Sequence, residues 1–464
     1  MNGAMLNTQG MGLVQLQSGS AVDLYNLQPL NTGTFQIITP GTVTVGGNGG
    51  GSFVPPLKNT STLLTSTQNA IEMTAGSITF GNGVGAEAVS GGISLVATGA
   101  IELDNGDAGA SYQALAGDII IISQTGNIDA LGGADLTAQN ITLSAAGTLD
   151  IYGYTLGNIV ATGVAMINTG AGLTNVGRGD FNTVTANSLV INAKGLVNLD
   201  TIASNLSILN SGNTTINNTG PLTSAVMTSS TGNIVLNNVG AATLVNLDAP
   251  QGSVTVATTG TQADITALSF INGTTGVTLL ANGNLTLSGE ASIIANNAPV
   301  ILSAAGGGFK NMTFASVPIQ TTGLIKIYSD SPSLNQLGSL LPDYQLFNCT
   351  YANGCAAGTL VPATQFGMYY ASLDPTPTPV PVTPVPIPVI PVPVPAPPIT
   401  ELPVSKTPMQ TVLPEVMGTL TQVLADVGED KKEEQQAKAS GVLALNEELG
   451  AEVGVDIESL PICR

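Results

Sequence analysis

From about Ile71 to Tyr328 apolar and polar residues alternate in short runs, each bracketed by Gly or Asn. Examples are Gly92-Ile-Ser-Leu-Val, Gly117-Asp-Ile-Ile-Ile-Ile, Asn140-Ile-Thr-Leu, Gly157-Asn-Ile-Val, Gly232-Asn-Ile-Val-Leu, Gly252-Ser-Val-Thr-Val and Gly283-Asn-Leu-Thr-Leu. A period of two predicts a β-strand with one apolar face. Equivalent strands return at intervals of about 20–25 residues, with shorter half-steps between them, which is the spacing of solenoids. No helical period separates the runs, so βαβ and leucine-rich architectures are excluded. The prediction is an all-β chain folded as a parallel β-helix, each coil turning through two or three short strands and stacking on the next at about 4.8 Å. At about 20 residues per coil, the stretch accommodates roughly 12–13 coils. Inward positions should stack Ile on Ile and Val on Val, leaving no room for bulky aromatics, with Gly and Asn turning the corners. A β-sandwich or a propeller uses the same turn spacing, but aromatic residues make up only 4% of the chain, which counts against both.

The flanking segments have different patterns. Residues 1–70 carry short strand-like pieces, Gly12-Leu-Val-Gln-Leu and Thr42-Val-Thr-Val, then a Gly-rich run from Gly46 to Ser52 and Pro55-Pro56. They are expected to form a lead-in to β-helix repeats over 71–328. Residues 329–373 concentrate Tyr344, Phe347, Tyr351, Phe366, Tyr369 and Tyr370 together with Cys349 and Cys355, as a cap over the last coil would. In 374–400 nearly every second residue is Pro, which predicts an extended polyproline II linker. Residues 401–464 place Val416, Leu420, Val423, Leu424 and Val427 on one helical face beside a charge run, Glu429 to Gln436, and predict a short acidic helical tail.

Composition narrows the chemistry. The chain has no His, only 9% charged residues, and 30 acidic against 10 basic residues, a formal net charge of −20. Without His, most general acid–base catalysis and most zinc, copper and haem sites lose their usual side chain, so no enzyme activity and no cofactor is expected. An anionic surface repels phosphate backbones and acidic lipid, so nucleic acid is excluded as a partner. No unbroken apolar stretch is long enough for a transmembrane segment. Met1 to Gly12 lacks the basic and apolar regions of an export signal, and the expectation is that the chain is the downstream part of a longer secreted protein.

Four groups of residues stand out as candidates. Arg178-Gly179-Asp180, flanked by Gly177 and Phe181, can present a guanidinium and a carboxylate on a Gly-rich turn for receptor binding. The same residues also make a good solenoid corner. Cys349 and Cys355 lie six apart around Asn353-Gly354, a strong turn dipeptide. A loop this short can close as a disulfide in an oxidising compartment, or hold two reduced thiols in the cap. Cys463 is left over, either free or crosslinked to another chain. Glu102, Asp104 and Asp107 are carboxylates of the kind that calcium sites or glycosidases use, but only a partial calcium-roll repeat exists, Gly132-Gly133-Ala134-Asp135. Cleavage of an anionic glycan also needs carboxylates on neighbouring coils beside Lys or Arg. The body supplies only Lys58, Arg178, Lys194, Lys310 and Lys326, so solvated loop acids are the simpler reading. Asn-x-Ser/Thr triplets at Asn59, Asn140, Asn205, Asn213, Asn217, Asn272, Asn284, Asn311 and Asn348 are expected from composition alone.

The stacked Gly-Asn-Ile-x-Leu and Asn-Leu-Thr-Leu phrases resemble the repeat region of filamentous-haemagglutinin-type adhesins, exported by two-partner secretion. The resemblance spans roughly residues 70–370. It implies a β-helical shaft at the cell surface or outside the cell, an outer-membrane transporter as export partner, and a host-cell receptor or surface glycan as ligand. Arg178, Gly179 and Asp180 match the Arg-Gly-Asp of some members, and Pro375 to Pro398 the proline-rich segment of some. Cys349 and Cys355, or Cys463, match the C-terminal Cys pair of others. The Asn-Pro-Asn-Gly motif of the N-terminal secretion domain is missing. The function expected is that of a structural adhesin; the alternatives are a carbohydrate-active β-helix enzyme and a passive surface-layer or matrix protein.

Overall fold

A computed structural model describes residues 13–24, 34–46, 63–66, 70–81, 83–104, 109–130, 133–150, 157–174, 183–362 and 365–373. The chain divides into two compact units, 1–380 and 381–464, and every described residue lies in the first. The linker and the acidic tail expected over 374–464, with Cys463, lie outside the described residues, as do Lys58, Asn59, Asp107, Gly132 and Arg178 to Asp180.

The described chain is a parallel β-solenoid of about 13 turns with almost no helix. Each full coil passes through three faces. The first face stacks Phe35–Ile38, Ile71–Ala75, Ile93–Ala97, Ile119–Ser123 and Ile141–Ala145 in parallel register, so that Ile71, Ile93, Ile119 and Ile141 form one inward column. The second runs through Thr42–Val45, Ser77–Phe80, Ile101–Asp104, Ile128–Ala130 and Leu149–Asp150. Leu173 resumes that face and leads a column through Val197, Thr214, Ile234, Val254, Val277, Val300 and Ile325 to Phe366. The third carries Gly85–Ala88, Ala110–Ala114, Ala134–Ala138 and the strands that follow. Every second residue is buried, as in Ile93–Ala97 and Ile141–Ala145, and the columns together make one continuous core. In-register stacking of apolar side chains on all three faces removes each from water without needing a second layer.

Coil length is uneven, and the chain adjusts at one corner. Between the third and first faces, residues 159–169, 184–193 and 197–210 run as single bent strands, with the last spanning parts of all three faces. Here successive coils are short: Asn218 reaches Thr201 one coil away at a sequence distance of 17, whereas Ser123 reaches Gly99 at 24. Gly220, Gly240 and Gly260, at φ +112°, +111° and +102°, turn three stacked coils at equivalent places where an L side chain would be strained.

Two expectations change. Val14–Gln17 pairs with Phe35–Ile38, and Phe35–Ile38 pairs with Ile71–Ala75, so among the described residues the ladder is already present at Val14 and residue 70 lies within it. The long connection between Val45 and Leu63 hides the period from a reading of spacing alone. The interior also admits aromatics. Phe35, Phe80, Tyr112 and Phe309 are buried, and Phe80 and Tyr112 meet edge to face at 5.2 Å. Tyr112 has a small residue in register one coil before it, Ala86, and Leu136 one coil after. Its hydroxyl donates to the Leu103 carbonyl at 2.6 Å, so no polar atom is left unpaired.

At the C-terminal end Phe366–Tyr370 inserts between Ile325–Ser329 and Tyr344–Phe347, all parallel. Tyr328 stacks on Tyr369 at 4.6 Å and Phe347 on Tyr370 at 5.1 Å, covering the last coil with rings. A Cβ on Gly367 would collide with the Tyr344 ring, so glycine is needed for this closure. The short hairpin Cys349–Cys355, whose ends are joined as a disulfide, carries Tyr351 onto the edge of Tyr328 at 5.7 Å.

Candidate functional site

The corners of the solenoid are not alike. The turns from first to second face and from third to first are uniformly short or absent. Between the second and third faces the described strands are separated by 46–62, 81–84, 105–109, 131–133, 151–158 and 175–183, and three of these separations, 46–62, 151–158 and 175–183, exceed the five residues that the other corners reach. Insertions that recur at one place in successive repeats lie along one edge, which in solenoids is commonly the binding edge. By chain position Arg178, Gly179 and Asp180 belong to this series, between Thr174 and Val184, and so does Asp107.

Asp104 anchors this edge. Its side chain is fully buried, with one carboxylate oxygen accepting from the Gly83 N–H at 3.1 Å and the other from the Gly109 N–H at 3.0 Å. Two backbone donors from consecutive corners stabilise the charged form and fix where both loops depart. Asp104 is thereby committed to the scaffold, not offered to a ligand.

Acids elsewhere follow a consistent arrangement in which a carboxylate on one coil faces an amide on the next. Asp118 accepts from the Asn140 side chain at 2.9 Å, Asp200 from Asn217 at 2.8 Å, Asp248 from Asn272 at 2.8 Å, and Glu72 from Gln36 at 2.8 Å. Asp135 and Asp264 accept from the backbone N–H of Asn158 and Asn284 at 2.8 and 2.7 Å. Asp135, the acid of the partial calcium-roll repeat, is used in this way. The amides of Asn140, Asn217, Asn272, Asn284 and Asn311 are likewise engaged between coils.

One column departs from this arrangement. Glu102 stands in register with Asp129, and Asp129 with Asp150, so three carboxylates succeed one another on the second face. At strand spacing of about 4.8 Å like charges repel and resist ionisation. Partial burial, and then Asp129 and Asp104, push the Glu102 carboxyl above its ordinary range. Partial burial and then Asp150 do the same for Asp129. One Asp150 oxygen is buried without a hydrogen-bond partner. The described lysines, Lys194, Lys310 and Lys326, belong to later coils. Chemically Glu102 and Asp129 can hold protons above the usual carboxylate range. Spacing of the carboxylates gave no warning of it, because residues 102, 129 and 150 match only once unequal coil lengths are known.

Among the described residues no group of three or more His, Cys, Asp or Glu is placed to hold a metal ion, and no helix is long and apolar enough to cross a membrane. No family model, curated protein or solved structure matches the chain.

Proposed function

We propose that this chain is the shaft of a secreted or surface-displayed structural adhesin, without catalytic activity, that meets a host-cell receptor or surface glycan along its insertion-bearing corner. The observation that carries the reading is a chain length: before Val184, the separations of more than five residues between described strands on successive faces, 46–62, 151–158 and 175–183, all fall between the second and third faces. A scaffold that stacks by nearest-neighbour contacts tolerates loops only where they leave the ladder undisturbed, and such loops present ligand-binding groups on a rigid support. Arg178, Gly179 and Asp180 are the receptor-contacting tripeptide in this proposal. Export through an outer-membrane transporter follows from the resemblance to filamentous-haemagglutinin-type adhesins.

The test is cell attachment by the full chain, by a variant in which 175–183 is replaced with a short Gly-Asn turn, and by Asp180→Ala. Attachment lost in both variants, with the β-sheet circular dichroism intact, is the expected result. Loss only on loop replacement would retain the corner and discard the tripeptide. Unchanged attachment in both, or a chain found only inside the native cell, would refute the adhesin reading.

One observation favours the carbohydrate-active alternative: Glu102 and Asp129 are carboxylates on neighbouring coils with raised proton affinity. Release of reducing ends from a polysaccharide panel, abolished by Glu102→Gln or Asp129→Asn, would establish it.

A further inference from the structure

We propose that Asn353 is a site of spontaneous covalent modification, converting to aspartyl and isoaspartyl forms in the folded, disulfide-closed protein. The reaction needs only water. The backbone nitrogen of Gly354 gives up its proton and attacks the side-chain carbonyl carbon of Asn353. Ammonia leaves, carrying that proton, and a five-membered imide forms. Water then opens the imide at either carbonyl, leaving a carboxylate and, on one branch, a backbone lengthened by a methylene.

Three Asn-Gly pairs have both members among the described residues, and the fold treats them differently. Asn272 lies in a stacked strand, its amide donating to Asp248 at 2.8 Å, and a Cβ on Gly273 would collide with the Gly276 carbonyl. Asn282 is held by its own N–H on the Thr258 hydroxyl at 3.3 Å and by its amide on the Gly260 carbonyl at 2.7 Å. A Cβ on Gly283 would strike Asp264. Closing an imide at either requires opening a coil. Asn353 is exposed at the tip of the Cys349–Cys355 hairpin, and its one hydrogen bond is from its backbone N–H to the Thr350 hydroxyl at 3.1 Å, which leaves the side chain unrestrained. Gly354 sits at φ +69° with nothing within 4 Å of the place a Cβ would occupy. The attacking and attacked groups therefore have the freedom that the ladder denies the other two.

The experiment is incubation of the full chain, disulfide intact, at mildly alkaline pH and 37 °C, followed by peptide mass spectrometry with fragmentation that separates aspartyl from isoaspartyl. The expected result is conversion at Asn353 about tenfold or more faster than at Asn272 or Asn282, reflecting the local opening the latter require. The peptide spanning residues 349–355 should show no aspartyl or isoaspartyl form at position 353 in Asn353→Gln. Equal rates at the three positions, or no conversion at Asn353 while Asn272 or Asn282 converts, would overturn the proposal.

Discussion

Asn218 and Asn238 lie one above the other inside the solenoid, each almost wholly buried, and the Asn218 amide donates to the Asn238 side-chain oxygen at 2.8 Å. Asn218 also accepts from the Thr201 hydroxyl and the Ala203 N–H, both at 2.9 Å, and donates to the Ala203 carbonyl. Asn210, at the preceding corner, donates to the Gly195 carbonyl at 2.8 Å. These amides stand where the short coils bring backbone groups inward, and they satisfy groups that would otherwise be buried unpaired. Removing one strands several partners at once. Asn218→Ala should cost about 2–4 kcal/mol, and urea denaturation of the full chain followed by circular dichroism measures it.

Tyr112 separates packing from hydrogen bonding. Burial, and then the Asp104 charge, push its phenol well above the ordinary range, so the hydroxyl stays a donor. Tyr112→Phe removes only the bond to Leu103 and should cost about 1 kcal/mol, whereas Tyr112→Ala also opens a cavity beside Phe80 and should cost about 3–5 kcal/mol. A difference between the two variants too small to resolve in denaturation midpoints would mean the ring does not fill the interior.

The carboxylate column makes stability depend on pH in the less usual direction. Because Glu102 and Asp129 hold protons more tightly folded than unfolded, the folded state binds more protons between the two values. Stability therefore rises as pH falls from above the raised folded values towards the ordinary carboxylate range, and the gain is complete below it. The paired variant Glu102→Gln with Asp129→Asn should raise the thermal midpoint near neutral pH and flatten this rise. Midpoints across a pH series, compared between the two proteins, decide it.

Much of the architecture was legible in the sequence because its cause is local. Alternation in Ile93–Ala97 or Ile141–Ala145 specifies a one-faced strand, and repetition at solenoid intervals specifies stacking. What was hidden depends on register. Whether Tyr112 meets Ala86 or Asp129 meets Glu102 is fixed by how many residues each corner consumes, and corner lengths vary most where the chain is least patterned. Asp104 shows the limit from another side. As a member of an acidic group it suggested a ligand site, while the two N–H groups that claim it, from Gly83 and Gly109, are visible only in three dimensions.

The disulfide should act locally. Cys349 is buried and Cys355 partly so, and their hairpin contributes Tyr351 to the ring cluster over the last coil. Coils before Tyr328 make contact only with their neighbours. Reduction, or Cys349→Ser with Cys355→Ser, should open the segment from Cys349 to Gly358 to proteolysis and leave a resistant core extending back through residue 71. Loss of that core on reduction would show that the hairpin governs the whole ladder.

Because the coils are joined by hydrogen bonds that run along the axis, as from Ile71 to Gly92 and from Ile93 to Asp118, a pull on the two ends loads those bonds in series. Such an object yields one rung at a time, paying out a coil of chain at each step and re-forming from the intact stub when tension drops.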